Sequence, residues 1–202
     1  MSPRPRKVSD EQVFAAAHRA VSRVGPGELT LAVIAAEAGV TAGALVQRFG
    51  SKRALLLALS AGAADSAGGF IEQLRARHRS PLATLRDYAE CMSHLAESPA
   101  ALTRNLAYLQ IDLADADFRK HLVVQSRATR DGFQKLLGEA IAAGELARGT
   151  DARKLAHAVE AVLSGSLLTW AIYREGSAAS WIRYRVDAVL APHLSKKRRV
   201  RQ

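Results

Sequence analysis

The chain has 202 residues, 49% of them hydrophobic and 24% charged, which suits a globular protein of one larger domain or of one small and one larger domain. Its net charge of +10, from 29 Lys and Arg against 19 Asp and Glu, favours a polyanionic partner, nucleic acid or anionic membrane. A single cysteine, Cys91, excludes an intramolecular disulfide, no apolar run stands behind the charges of Met1–Lys7, and no segment approaches the ~20 unbroken apolar residues of a membrane span, so a cytoplasmic protein without a membrane partner is expected.

Met1–Val8 carries Arg4, Arg6 and Lys7 around Pro3 and Pro5 and reads as a basic arm, either solvated or reaching DNA. Ser9-Asp10-Glu11-Gln12 is a capping box that opens a helix with Val13, Ala17, Ala20, Val21 and Val24 on its apolar face. Gly25-Pro26-Gly27 is expected to end it. Thr30 caps a short helix with its stripe at Leu31, Ile34, Ala35 and Ala38, and Gly39 supplies the left-handed stop. Thr41 caps a second, with Ala44, Leu45 and Phe49 inward, and Ser51 a third that begins at Lys52. Two short helices joined by a glycine turn make a helix-turn-helix, whose second helix enters the major groove; an ordinary αα-hairpin can carry the same caps. Ala42, Gly43, Val46 and Gln47 fall on the outer face of that second helix. The Gln47 amide can pair bidentately with adenine and the Val46 methyls can meet a thymine, while Arg48 suits either a phosphate or a guanine.

A long connecting helix is expected from Lys52 to Arg79, weakened at Gly62 and Gly68-Gly69. Ser80-Pro81 and Ser98-Pro99 each join a capping serine to a proline at the first helical position, opening helices near 81–97 and 99–113. Asp115 or Asp117 opens a long amphipathic helix that Gly144 stops, Asp151 opens one from about 152 to 174, and a last helix runs to Leu190 before Pro192. No strand alternation of useful length occurs, so the chain reads as all-α. The helix near 152–174 is apolar on two sides: Leu155, Val159, Val162, Ser166 and Trp170 on one, Ala158, Ala161, Gly165, Leu168 and Ile172 on the other. Such a helix is buried on both, in a core or between subunits.

Ile34-Ala35-Ala36-Glu37-Ala38-Gly39-Val40-Thr41, followed by Ala44-Leu45, Phe49 and Ser51-Lys52, resembles the DNA-binding domain of the tetracycline-repressor (TetR) family across roughly residues 9–60. The resemblance implies a three-helix DNA-binding head over 1–52, a larger helical effector-binding and dimerisation body over 53–194, and a separate basic tail over 195–202. It also implies a sequence-specific transcriptional regulator: a homodimeric repressor that leaves a palindromic double-stranded operator when a small-molecule effector binds. By the same resemblance Thr30, Thr41 and Lys52 contact phosphates. The last two helices, with Trp181, Tyr184, Val189 and Leu190 on the final one, then form a four-helix dimer interface. Two positions depart from the family's pattern, because Val46 stands where an aromatic is usual and Arg48 where His or Tyr is. An effector cavity of the family's kind would take walls from Phe70, Leu74, Met92, Leu95, Leu106, Phe118 and Leu122, with His94, Tyr108, Gln125, Thr129 and Trp170 as polar or aromatic anchors.

Nothing converges on catalysis. The histidines at 18, 78, 94, 121, 157 and 193 are scattered, and no nucleophile elbow, Walker loop or dinucleotide fingerprint occurs. Cys91 and His94 share a helix face, and on them rests the alternative of a small all-α enzyme acting on an anionic substrate; no metal or cofactor is expected. Lys196, Lys197, Arg198, Arg199 and Arg201 supply half the net charge, in a tail that is either solvated or a nonspecific DNA contact.

Overall fold

A computed structural model describes residues 8–195; the basic arm ahead of Val8 and the basic tail from Lys196 lie outside the described residues. Among the described residues the regular structure is helical, as expected of an all-α chain, and it divides into two compact units.

The first unit comprises Met1–Ala63 and Ala100–Leu122. It opens with α1 (Asp10–Glu28), whose capping box is formed: Gln12 N–H donates to the Ser9 hydroxyl at 3.2 Å and Ser9 N–H to the Gln12 side chain at 2.9 Å. The expected end at Gly25-Pro26-Gly27 is corrected. Gly25 breaks the helical backbone with φ 76° and ψ 169°, but Pro26 begins a further turn that runs to Glu28. Proline fits there because the first turn of a helix needs no N–H from it. A Cβ on Gly25 would lie 3.2 Å from the Arg104 side chain, whose Nε donates to the Ser22 carbonyl at 2.6 Å. Then come α2 (Leu31–Ala38), α3 (Ala42–Phe49) and the first part of α4 (Lys52–Arg77). The core is formed by Val13, Ala17, Ala20, Val21, Leu29, Ile34, Ala35, Leu45, Leu55, Leu56, Leu59 and Phe118. Phe118 comes from the start of α7 (Ala116–Ala142), and α6 (Pro99–Ala114) adds Tyr108 and Ile111 against the same cluster. The compact unit around the head is thus larger than the first three helices.

The second unit comprises Ala64–Pro99 and Val123–Gln202. Here α5 (Pro81–Ser93) and α8 (Ala152–Tyr173) both pack on α9 (Ala178–Leu190). Phe133, Leu137, Val159, Ile182, Val186 and Leu190 are fully buried. Rim ion pairs join the same helices: Arg86 to Asp187 at 2.7 Å and Arg183 to Glu90 at 2.6 Å. Glu145 accepts from the Ser80 hydroxyl at 2.8 Å and from Leu82 N–H at 3.2 Å, while its carbonyl accepts from Ser195 N–H at 3.0 Å. One carboxylate and its own backbone therefore tie the start of α5 and the end of the described chain to the turn after α7.

Three further expectations change. The glycines at 62, 68 and 69 do not break α4, which runs unbroken over 26 residues. A helix reaching 97 gives way to a 3-10 turn at His94–Ala96. The statement that no segment approaches a membrane span is also corrected, since α4 and α8 are long and apolar enough by length and composition. The apolar residues of α4 are interrupted only by small ones, which an unbroken-run criterion passes over.

Candidate nucleic-acid interface

The head presents α3 as its outer helix. Thr30 accepts from Val33 N–H at 3.2 Å and Thr41 from Ala44 N–H at 3.1 Å, so both side chains are N-caps and stand exposed at helix starts. Gly39, at φ 70°, closes α2 by giving its N–H to the carbonyls of Ala35 and Ala36, a left-handed stop that only glycine takes without cost. The two helices meet at 109°, within the range of a DNA-reading helix-turn-helix. Leu45 is buried and pins α3 from below, leaving Gly43, Ala44, Val46, Gln47 and Arg48 exposed and Ala42 half-buried. Val46 is 49% exposed, a branched apolar side chain with no place in the core. A Cβ on Gly43 would meet nothing nearer than the Thr41 hydroxyl at 4.0 Å, so packing does not require the glycine. An N-terminal helix face with free amide groups and no side-chain bulk is what a phosphate or base edge can approach closely.

Two cations expected to meet DNA already have partners within the head. Lys52 donates to the Leu29 carbonyl at 2.9 Å. Arg48 donates to the Val8 carbonyl at 2.7 Å, pairs with Asp10 and lies over the Phe49 ring at 5.5 Å. Both tethers join residues far apart in sequence, which a motif cannot show. Elsewhere Arg53 bonds Asp115 and Asp117 at 2.9 and 2.8 Å and lies over Phe118. Those two aspartates, read as helix punctuation, thus also neutralise a head arginine, and Arg53 holds the Asp115 carboxyl below the usual carboxylate range.

The residues proposed for an effector site fall in both compact units. Tyr108, Phe118 and Leu122 belong to the first. Phe118 is buried in the head core there, and Tyr108 packs on it. The Tyr108 hydroxyl and one Asp112 oxygen are buried without a hydrogen-bond partner, although the hydroxyl of Ser60 is close enough to Tyr108 to favour its ionised form slightly. Burial pushes Tyr108 up to about 12 and Asp112 up to about 6.

Phe70, Met92, His94, Leu95, Gln125, Thr129 and Trp170 belong to the second unit. Trp170 is buried, with its indole N–H on the Gly176 carbonyl at 3.1 Å, and so serves the turn after α8. His94 and Leu95 are exposed in the 3-10 turn. Phe70 packs on Tyr88 at 5.8 Å and Tyr88 on Phe133 at 4.9 Å, edge to face, while Thr129 bonds the Tyr88 hydroxyl. Tyr88 organises this cluster and was not singled out from the sequence, although its place on the inner stripe of α5 was readable. Cys91 does not face a base that could activate it. Burial and the neighbouring Asp87 push its thiol up, the wrong direction for a nucleophile.

The two sides of α8 separate cleanly. Leu155, Val159, Ser166 and Trp170 are buried, whereas Leu168 is 48% and Ile172 68% exposed. On α9 Tyr184 is 72% exposed.

Residues 13–59 match the family described as bacterial regulatory proteins, tetR family, and residues 107–186 match the tetracyclin repressor-like C-terminal domain. Solved structures share the fold. A TetR transcription regulator from Haloarcula marismortui is 17% identical, with 92% of this chain and 98% of that one covered at a TM-score of 0.72. A TetR transcriptional regulator from Streptomyces coelicolor is 22% identical, with 93% and 99% covered at 0.69. The fatty acid degradation regulator FadR of Bacillus subtilis, solved with stearoyl-CoA, is 18% identical, with 91% and 98% covered at 0.64. No curated protein sequence matches the chain.

Proposed function

The chain belongs to the tetracycline-repressor family of bacterial regulatory proteins and is a DNA-binding transcriptional regulator, and from that premise we propose that it acts in the cytoplasm as a homodimeric repressor on a palindromic operator. The observation that carries this reading is the exposed face of α3, held at 109° to α2 by a buried Leu45 and presenting Gly43, Val46 and Gln47. A side chain reads sequence only if it reaches base edges, and a helix face free of core duties can do so. Thr30, Thr41 and Lys52 supply phosphate contacts at helix starts, and Ala42 gives Gly43 and Val46 clearance. Lys52 keeps two N–H groups free after its bond to Leu29.

The exposed apolar side of α8, with Tyr184 on α9, is the dimer seam of this proposal; its size and apolar character suit burial against a second copy. An apolar small molecule is the effector class, on the aromatic cluster of Phe70, Tyr88 and Phe133 with Thr129, Met92 and Gln125 near it in the same unit. FadR, of the same fold, was solved with stearoyl-CoA. An effector releases DNA only by favouring a conformation with unsuitable head spacing, and α4, which contributes residues to both units, is the element to carry it.

Selection of duplexes from a random pool, followed by gel retardation, tests the reading. It requires an inverted repeat bound by two chains. Recovery of duplexes without a common motif would overturn it.

A further inference from the structure

We infer that Arg48 is a positioning residue for DNA binding: it clamps the base of the N-terminal arm beside the recognition helix, so that Arg4, Arg6 and Lys7 reach phosphates of the duplex just outside each half-site. The inference rests on the DNA-reading role of α3. Arg48 stands on the outer helix, yet its guanidinium is committed to the Val8 carbonyl at 2.7 Å and to the Asp10 carboxylate. A guanidinium already paired with a carboxylate has little net charge to offer a phosphate. What it does instead is fix where the chain enters the head. The capping box of Ser9 and Gln12 sets the direction of α1, and the Arg48 bond sets Val8 against α3. Val8, Ala44, Gln47 and Arg48 then line one surface concavity of about 380 Å³, so the last arm residue shares a surface with Gln47.

The seven residues ahead of Val8 carry three cations and no acid. Seven residues extend to at most about 25 Å, from about 3.6 Å per residue. At 3.4 Å of rise per base pair that is about seven pairs, enough to leave the half-site and follow its flanking backbone. The partner is duplex phosphate, chosen over a base-reading role because proline and arginine alternate in Pro3-Arg4-Pro5-Arg6 without an amide side chain for base edges.

A double-mutant cycle on the full-length chain tests the clamp, with the inverted repeat selected above carried on duplexes with and without eight flanking base pairs. The variants are R48A, the arm-neutralised R4Q/R6Q/K7Q, and their combination. On the flanked duplex the arm-neutralised chain should lose salt slope by up to about 3 per subunit. R48A should lose at least about fivefold in affinity alone and less than about twofold when the arm is already neutral, because both changes remove one interaction. On the flush duplex wild type should fall to the level of the arm-neutralised chain. Equal R48A losses with and without the arm charges, or wild-type binding that ignores the flanks, would overturn the clamp and return Arg48 to direct DNA contact or to a purely structural role. Failure of wild type to select any repeat would instead strike the underlying DNA-reading proposal.

Discussion

The Lys52 ammonium lies 2.9 Å from the Leu29 carbonyl oxygen, so the first residue of α4 closes the end of α1. Leu29 is fully buried and caps α1 in extended backbone, which leaves its carbonyl without an intrahelical donor. One cation thus serves the fold and, with its remaining protons, the phosphate backbone. K52A should lose about 1 kcal/mol of stability in denaturant melts, the usual value of one hydrogen bond. It should also weaken operator and random duplex alike and lower the salt slope by about 1 per subunit. An unchanged slope would confine Lys52 to the fold.

Dimerisation is tested at Gly165. A Cβ there meets nothing within 4 Å in the single chain, so the folded subunit has room for a side chain. G165R should therefore keep its helicity while moving the weight-average mass in sedimentation toward monomer, with a dissociation constant raised on the order of tenfold or more by a charge buried in the seam. A fully dimeric G165R would place the seam elsewhere.

Asp112 makes stability depend on pH. Its folded-state pKa is raised to about 6 by burial, above its ordinary 3.8, so the folded chain binds the proton more tightly than the unfolded one. The ionised group is penalised in the fold: stability attributable to it is highest below about pH 4, falls between there and about pH 6, and is flat beyond. With the group partly open to solvent the penalty at pH 7.5 is about 1 kcal/mol. D112N should then melt higher than wild type at pH 7.5 and lose that advantage by pH 4. A variant no more stable at pH 7.5 would mean that the buried oxygen has found a donor.

Arg174 ends α8 in the left-handed region, at φ 56° and ψ 34°, with its N–H on the Trp170 carbonyl at 2.7 Å. Left-handed backbone costs a residue with a Cβ about 1 kcal/mol or more, and glycine avoids that cost. R174G should raise the unfolding free energy by about 1 kcal/mol without altering DNA affinity. A loss of stability would show that the arginine side chain contributes more than its backbone costs.

Much of the head was legible because its signals are local. Ser9, Thr30, Thr41, Ser51, Ser80, Asp151 and Ser177 each accept a hydrogen bond from an N–H three residues on, a relation a sequence displays directly. The turn after Gly25 was hidden by the same logic, because Gly-Pro-Gly looks like a stop while Pro26 also suits a start. The two apolar sides of α8 were visible as a pattern, but only coordinates show which one is covered by its own chain. The tethers of Arg48 to Val8 and of Arg53 to Asp115 span 40 and 62 residues, and no periodicity encodes them. The same holds for Tyr88, whose importance lies in its neighbours Phe70 and Phe133 and the Thr129 hydroxyl.

Base reading by the outer face of α3 is tested most directly at Gln47, which is exposed and has no part in the head core. The measurement is a set of equilibrium titrations of wild type and Q47A against the selected repeat and against duplexes substituted at each position of a half-site, at several salt concentrations. Q47A should lose about 1–3 kcal/mol per half-site on the intact repeat, with specificity relaxed at one base position and the salt slope nearly unchanged. Equal weakening of every duplex, with every base preference intact, would contradict the account.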